Sequence, residues 1–241
     1  TGNTVVIKPA PSTPLSTLRL GELILDRVPP GVLNIVTDRN DLGSVLCTHP
    51  DVRKISFTGS SATGRKVMEA GASTLKRVTL ELGGNDAAIV LADSNVDHVA
   101  PKLFRSAFYN AGQVCLAIKR VYVHESLHDR LRDALCAIAR DHVVGDGMEP
   151  GVAMGPLQNA AQFAKVRELV ADSRDVGTVV CGGEIEGRRG YFLSPTIVTD
   201  VSNGARIVDE EQFGAVLPLI RFSNVEDAVR IRNGETGAAA L

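Results

Sequence analysis

Several stretches of the sequence combine residue types and spacings that could do chemistry. Cys115 closes Asn110-Ala111-Gly112-Gln113-Val114-Cys115, a polar, glycine-containing link between a helical pattern and a strand pattern. A thiol placed in such a link can be accessible, and its thiolate is a strong nucleophile. Cys47, Cys136 and Cys181 instead lie in apolar runs and read as core, and no CxxC pair occurs. Glu81 ends the β-like run Val78-Thr79-Leu80-Glu81-Leu82 just before Gly83-Gly84. A carboxylate held there can activate water, although a solvated strand end has the same pattern. Gly59-Ser60-Ser61-Ala62-Thr63-Gly64-Arg65-Lys66 follows a strand pattern and opens a helical one, so its free N–H groups and helix dipole suit a phosphate. It is neither a Walker A loop, because Arg65-Lys66 replaces Lys followed by Ser or Thr, nor a GxGxxG turn, and an ordinary strand-to-helix turn is the alternative. Glu210-Glu211 before Gln212-Phe213-Gly214 is either a solvated acidic turn or a carboxylate and an aromatic ring placed against a ligand.

One motif match fails on context. His124-Glu125-Ser126-Leu127-His128 satisfies HExxH, which binds zinc only when both histidines share one helical face. Here Val121-Tyr122-Val123-His124 reads as a strand end and Ser126 as the N-cap of the following helix, so the histidines fall on different elements. No metal is expected.

The elements that must position these residues alternate strand and helix, as a parallel α/β sheet requires. Strand patterns cover 4–8, 33–36, 54–57 and 77–82. Helical patterns run through Leu15, Leu18, Leu25 and Val28, then over 42–47, then from the Gly59 turn to about Ala70. Beyond Gly83-Gly84 the alternation repeats with longer helices. Strands are expected at 87–91, 120–123, 178–181, 196–198 and 216–222. Helices are expected through Val96 to Ala107, from Ser126 to about His142, through Phe163 to Val170, and from about Val225.

Composition sets the limits. The 241 residues carry 26 Lys plus Arg against 28 Asp plus Glu, a formal charge of −2 that lacks the basic excess nucleic-acid binding requires. A hydrophobic share of 44% and a charged share of 22% fit a folded globular chain rather than a disordered one. No segment approaches the roughly 20 apolar residues of a membrane-spanning helix, so no membrane is expected. Unpaired cysteines fit a reducing cytoplasm. The opening at Thr1-Gly2-Asn3 and the close on Gly237-Ala238-Ala239-Ala240-Leu241 both look cut.

Taken together, the order and spacing of the blocks resemble the aldehyde dehydrogenase superfamily along the whole chain. The matching segments are Gly2-Asn3-Thr4-Val5-Val6-Ile7-Lys8-Pro9, Pro29-Pro30-Gly31-Val32-Leu33-Asn34, Phe57-Thr58-Gly59-Ser60, Leu80-Glu81-Leu82-Gly83-Gly84, Gly112-Gln113-Val114-Cys115 and Glu210-Glu211-Gln212-Phe213-Gly214. The resemblance implies a Rossmann-like parallel-sheet cofactor domain over 1–82 and a second α/β catalytic domain over 83–241, both incomplete. It implies Cys115 as nucleophile and Glu81 as general base. It further implies Lys8 as a ligand of the adenosine ribose, Gly59 and Ser60 as the pyrophosphate turn, and Glu211 and Phe213 against the nicotinamide ribose and ring. The activity so implied is oxidation of a small-molecule aldehyde by NAD or NADP through a cysteine hemithioacetal and a thioester, in an enzyme that is a homo-oligomer at full length.

Family chains are about twice as long, and the segment bearing their oxyanion-binding Asn would precede Gly2. A chain without it is expected to have little or no activity, so a truncated, inactive fragment keeping only nucleotide-binding or packing surface is the competing reading. A P-loop phosphotransferase is a more distant one. Three residues depart from the family pattern. Asn85 replaces a common lysine. Ala215 replaces a proline after Phe-Gly, which predicts a looser turn behind Phe213. Pro11 stands where NAD-preferring members often carry a carboxylate, which removes a source of repulsion against a 2′-phosphate.

Overall fold

A computed structural model of the protein describes residues 2–184 and 189–233. The chain divides into two compact units, Thr1–Leu82 and Gly83–Leu241. The closing Gly237 to Leu241 run lies outside the described residues.

In the first unit, β1 (Val5–Ile7) is followed by α1 (Leu15–Ile24), β2 (Leu33–Ile35), α2 (Leu42–Thr48), β3 (Lys54–Thr58), α3 (Ser61–Ala72) and β4 (Arg77–Glu81). The strands form two separate parallel ladders, β1 with β2 and β3 with β4, where the sequence pattern suggested one continuous sheet. Among the described residues no strand bridges the ladders. The helix expected to reach Val28 ends at Ile24, ahead of Pro29-Pro30, and buries none of its residues. Leu15, Leu20, Leu23 and Leu25 are all at least half exposed, so this helical repeat marks an apolar face without marking core. The α3 helix packs closely on β4. Gly64 and Gly71 are buried against Leu82 and Val78, and a Cβ at Gly64 would come within 2.7 Å of the Leu82 side chain.

The second unit holds most of the buried apolar side chains. Its elements are β5 (Asp86–Val90), α4 (Val96–Phe108), a 3₁₀ turn (Tyr109–Gly112), β6 (Ile118–His124), α5 (Glu125–Asp141), α6 (Ala160–Val176), β7 (Thr178–Glu184), β8 (Leu193–Thr199), α7 (Arg206–Asp209), β9 (Val216–Phe222) and α8 (Val225–Arg232). The sheet order is β5-β6-β9-β8-β7, parallel except for the β7–β8 pair. Val121, Tyr122 and Val123 of β6 have no exposed surface, as expected of a central strand covered on both faces. The α4 face of Val96, Ala100, Leu103, Phe104 and Ala107 recurs at helical spacing, and the Asn95 side chain caps the helix by accepting from the N–H groups of Asp97 and His98.

The HExxH histidines do sit on different elements, but the cap differs from expectation. His124 ends β6, and its ring Nδ1 accepts from the Ser126 N–H, so the histidine caps α5 in place of Ser126. His128 lies inside α5 without exposed surface. Its Nε2 has no partner, and burial holds its pKa below the ordinary value. Among the described residues no helix is long and apolar enough to cross a membrane, and no cluster of His, Cys, Asp or Glu is placed to hold a metal.

Leu135 of α5 is fully buried in the core of the second unit. Leu135→Ala is expected to destabilise that unit by about 2–5 kcal/mol, measured as a lower urea midpoint with an unchanged slope.

Candidate active site

Two groups of candidate residues form, one in each unit. In the first, β3 and β4 run parallel with Thr58 opposite Glu81, so both strands release their chains at the same edge. The Gly59 N–H donates to the Glu81 carbonyl at 3.0 Å, which ties the Gly59-Ser60 turn to the end of β4. A side chain at Gly59 would run into the Phe57 ring and displace it. Ser60 caps α3, its Oγ accepting from the Thr63 N–H at 3.3 Å. The Ser61 and Ala62 N–H groups that precede it have no partner among the described residues. Two free amides and a helix dipole at the carboxyl edge of parallel strands suit an anion. The Glu81 side chain is exposed beside this turn.

Lys8 lies beyond β1, and its Nζ pairs with Asp38 Oδ1 at 3.1 Å. Asp38 also accepts from the Leu42 N–H at the start of α2. Burial raises the Asp38 pKa, but the Lys8 bond and the backbone amides of Leu42 and Asn40 outweigh it and hold the carboxyl below its ordinary range. Lys8 therefore carries a carboxylate partner that no sequence motif announces.

The second group is built around Cys115. Its thiol is exposed, whereas Cys47 and Cys136 are buried and Cys181 is half-buried. Cys136 and Cys181, both read as plain core, hydrogen-bond to each other, and this contact together with burial raises the Cys136 thiol. The approach to Cys115 is a backbone that side chains disfavour, since Asn110, Ala111 and Gly112 all have left-handed φ, at 50°, 55° and 74°. Such conformations persist only where surrounding contacts over-determine them. Here the Asn110 amide donates to the Gln113 carbonyl at 3.2 Å, the Gln113 amide donates to the Asn110 carbonyl at 3.1 Å, and Gln113 Oε1 accepts from the Gln158 N–H at 2.8 Å.

Beneath the loop lies Lys119, the lysine of β6 and only 1% exposed. Its Nζ donates to the carbonyls of Gly112 and Val114, both at 2.8 Å, and sits 5.3 Å from the centre of the Phe213 ring. Burial pushes its pKa down to about 8, against the pull of Glu211, Asp86 and the Cys115 thiolate.

The Glu211-Phe213 turn reaches the same group. Glu211 Oε1 accepts from the Gly84 N–H at 3.1 Å, and any side chain at Gly83 would overlap that carboxylate. The second carboxylate oxygen has no partner among the described residues. Phe213 adopts a left-handed φ of 50°, fixed by Gln162, whose amide donates to the carbonyls of Gln212 and Phe213 at 2.8 and 2.9 Å. Lys165 donates to the Glu211 carbonyl at 2.7 Å. Gln212 is buried and donates to the carbonyls of Lys119 and Ile207. Ala215 has no exposed surface, and its carbonyl accepts from the Thr196 N–H at 3.0 Å. The turn behind Phe213, expected to be looser for want of a proline, is held by hydrogen bonds from Gln162, Lys165 and Thr196. Asn85, which departs from the family pattern, donates to the carbonyls of Val208 and Asp209 just ahead of this turn.

The second unit therefore joins Cys115, Glu211 and Phe213 through Lys119. The first unit joins Glu81 to Gly59 and Ser60. Lys119, Gln162, Lys165 and Asp38 belong to no motif; the only sequence signal for Lys119 is a lysine inside the apolar run of β6.

The second unit of this α/β chain thus presents an exposed thiol on a loop of left-handed residues, with a carboxylate and an aromatic turn around the lysine beneath it. The sequence profile of the aldehyde dehydrogenase family matches residues 1–240, and the chain belongs to that family. A probable aldehyde dehydrogenase from a Pseudomonas species is 52% identical over 223 residues, covering 91% of this chain and 46% of the relative. The NADP(+) succinate-semialdehyde dehydrogenase of Escherichia coli is 43% identical over 244 residues, covering 99% and 50%. An aldehyde dehydrogenase of Pseudomonas syringae, solved as a mutant complexed with NAD+ and octanal, superposes with a TM-score of 0.91 at 36% identity, covering 95% and 49%. The chain spans about half the length of the relatives it matches.

Gly112 sits in the left-handed region, and a Cβ there would overlap the Gly214 carbonyl. Gly112→Ala is expected to cost at least about 2 kcal/mol in urea unfolding and to change the rate at which iodoacetamide labels Cys115.

Proposed function

We propose that the protein to which this chain belongs oxidises an aldehyde to a carboxylic acid with NAD or NADP, using Cys115 as the covalent nucleophile. The observation that carries this reading is the Cys115 loop. It presents the most accessible of the four thiols on a backbone held in an unfavourable conformation, next to a carboxylate and an aromatic ring. In this reading residues 1–82 are part of the NAD(P)-binding domain and 83–241 part of the catalytic domain.

The Cys115 thiolate adds to the aldehyde carbon, giving a hemithioacetal oxyanion. When bound, the dinucleotide supplies the hydride acceptor. Loss of hydride leaves a thioester on Cys115. Glu81 takes a proton from water, the hydroxide adds to the thioester carbon, and the acid departs as the thiolate is restored. The net change is aldehyde, water and oxidised cofactor to acid, reduced cofactor and a proton. Cysteine suits both halves, because its thiolate attacks readily and leaves readily.

The residues present fit the cofactor. The unpartnered Ser61 and Ala62 amides ahead of a capped helix suit a pyrophosphate, with Gly59 and Ser60 shaping the turn. In this reading Lys8 is the ligand of the adenosine ribose, and Glu211 and Phe213 are those of the nicotinamide ribose and ring. Nothing acidic stands at Pro11, and Asp38 is held by Lys8, so either NAD or NADP is accommodated.

Cys115→Ser in the intact protein is expected to abolish aldehyde-dependent reduction of the cofactor. Glu81→Gln should still form about one equivalent of reduced cofactor per site in a burst and then turn over at least about 100-fold more slowly, because only hydrolysis is impaired. Absorbance at the reduced-nicotinamide band reads both. Full turnover by Cys115→Ser would refute the proposal, and nucleotide binding without turnover in the unsubstituted protein would favour the inactive-fragment reading.

A further inference from the structure

We propose that Lys119 is a positioning residue whose ammonium sets the Val114–Cys115 peptide so that the Cys115 N–H can receive a negative charge forming on a substrate oxygen. The inference rests on Cys115 being the nucleophile and on no other part of the proposed function.

The Val114–Cys115 peptide fixes its two polar groups together. In a trans peptide the C=O and N–H point in opposite directions, and the described chain contains no cis bond. Lys119 Nζ holds the Val114 carbonyl at 2.8 Å from the buried side. The amide across that bond, the N–H of Cys115, must therefore point away from Lys119. That N–H has no partner among the described residues, although it belongs to an exposed residue whose neighbours on the loop are closely bonded. The Ala117 N–H also donates to the Val114 carbonyl, at 3.1 Å, so the carbonyl is held by two donors and cannot readily flip.

The same ammonium holds the Gly112 carbonyl at 2.8 Å, just after the two left-handed residues Asn110 and Ala111. One cation thus clamps the loop on both sides of Gln113. Positive charge on the acceptor side of a peptide polarises it and strengthens the N–H as a donor. The third face of the ammonium meets the Phe213 ring, and Gln212 holds the Lys119 carbonyl at 3.2 Å, so the lysine is itself fixed at both ends. The charged groups that act on it are Glu211, Asp86 of β5 and the Cys115 thiolate.

Two reagents separate this role from a structural one. Attack of Cys115 on p-nitrophenyl acetate passes through a tetrahedral oxyanion, whereas alkylation by iodoacetamide displaces iodide and forms none. Both need the thiolate, so the ratio of the two rates cancels the ionisation of Cys115. Neither needs an aldehyde, Glu81 or a nucleotide, so the result stands or falls separately from aldehyde oxidation. In the intact protein, with modification at Cys115 read by peptide mass spectrometry, Lys119→Met is expected to slow acylation about tenfold or more while leaving alkylation within about threefold. Parallel loss of both rates, or no change in either, would overturn the proposal. The unsubstituted protein adds a second readout, because Lys119 loses a proton, and with it a donor, as pH rises through about 8. The ratio of acylation to alkylation should fall across that range. In Lys119→Arg, which stays charged, the fall should disappear. The same fall in Lys119→Arg, or none in the unsubstituted protein, would overturn the proposal even where Lys119→Met fails to fold.

Discussion

A single buried ammonium decides the shape of the candidate site. Lys119 binds two carbonyls of the Cys115 loop and faces the Phe213 ring, so one side chain touches two segments that are otherwise separate in the chain. An unpaired buried cation is costly, and proteins keep one only where its donors are satisfied. Here the bonds run both ways. The loop carbonyls satisfy the cation, and the cation holds a backbone whose left-handed conformation is unfavourable for Ala111 in particular.

Around that centre the second unit applies one device repeatedly, a side chain reaching across to hold main-chain carbonyls. Gln162 holds those of Gln212 and Phe213, Lys165 that of Glu211, Asn85 those of Val208 and Asp209, and Gln212 those of Lys119 and Ile207. Loops carry unsatisfied carbonyls that secondary structure would otherwise occupy. Satisfying them with side chains from other segments, two of them on α6, lets a loop be irregular and still fixed, as precise positioning of a reactive group requires. At Ala215 the turn is likewise held by bonds from outside it.

Much of this was legible from residue order alone. The strand and helix alternation follows from apolar spacing, because parallel α/β packing imposes periods of two and 3.6 on whichever face is buried. The blocks around Cys115, Glu81 and Glu211 could be read because glycines next to reactive side chains mark places where backbone must approach closely, as the overlaps at Gly83, Gly112 and Gly59 show. What stayed hidden depends on long-range contact. Lys119 reads as a surface lysine until β6 is seen to be covered and the loop folded back over it. Gln162 lies 50 residues from the carbonyl of Gln212 that it holds, and local pattern carries no trace of such a bond. His124 displaced Ser126 as the cap of α5 because its ring happened to reach the Ser126 N–H, a competition between two capable acceptors that composition cannot rank.

The α1 helix shows the opposite failure, where periodicity was real and burial did not follow. Its leucines repeat as a core-facing stripe would, yet none is buried within the described residues. Hydrophobic spacing identifies a face that needs cover; it does not say what supplies the cover. Among the described hydrophobic residues of the first unit, Cys47 and Val67 are the buried ones, while the second unit buries most of β6, β8 and β9 and the faces of its long helices. Stability is therefore concentrated where the thiol loop is anchored. The Gly59-Ser60 turn rests on local devices instead, namely a serine cap, a glycine that clears the Phe57 ring and one backbone bond to Glu81. A turn built that way keeps its form with little core beneath it. The thiol loop, with its left-handed residues, depends on the packed sheet below.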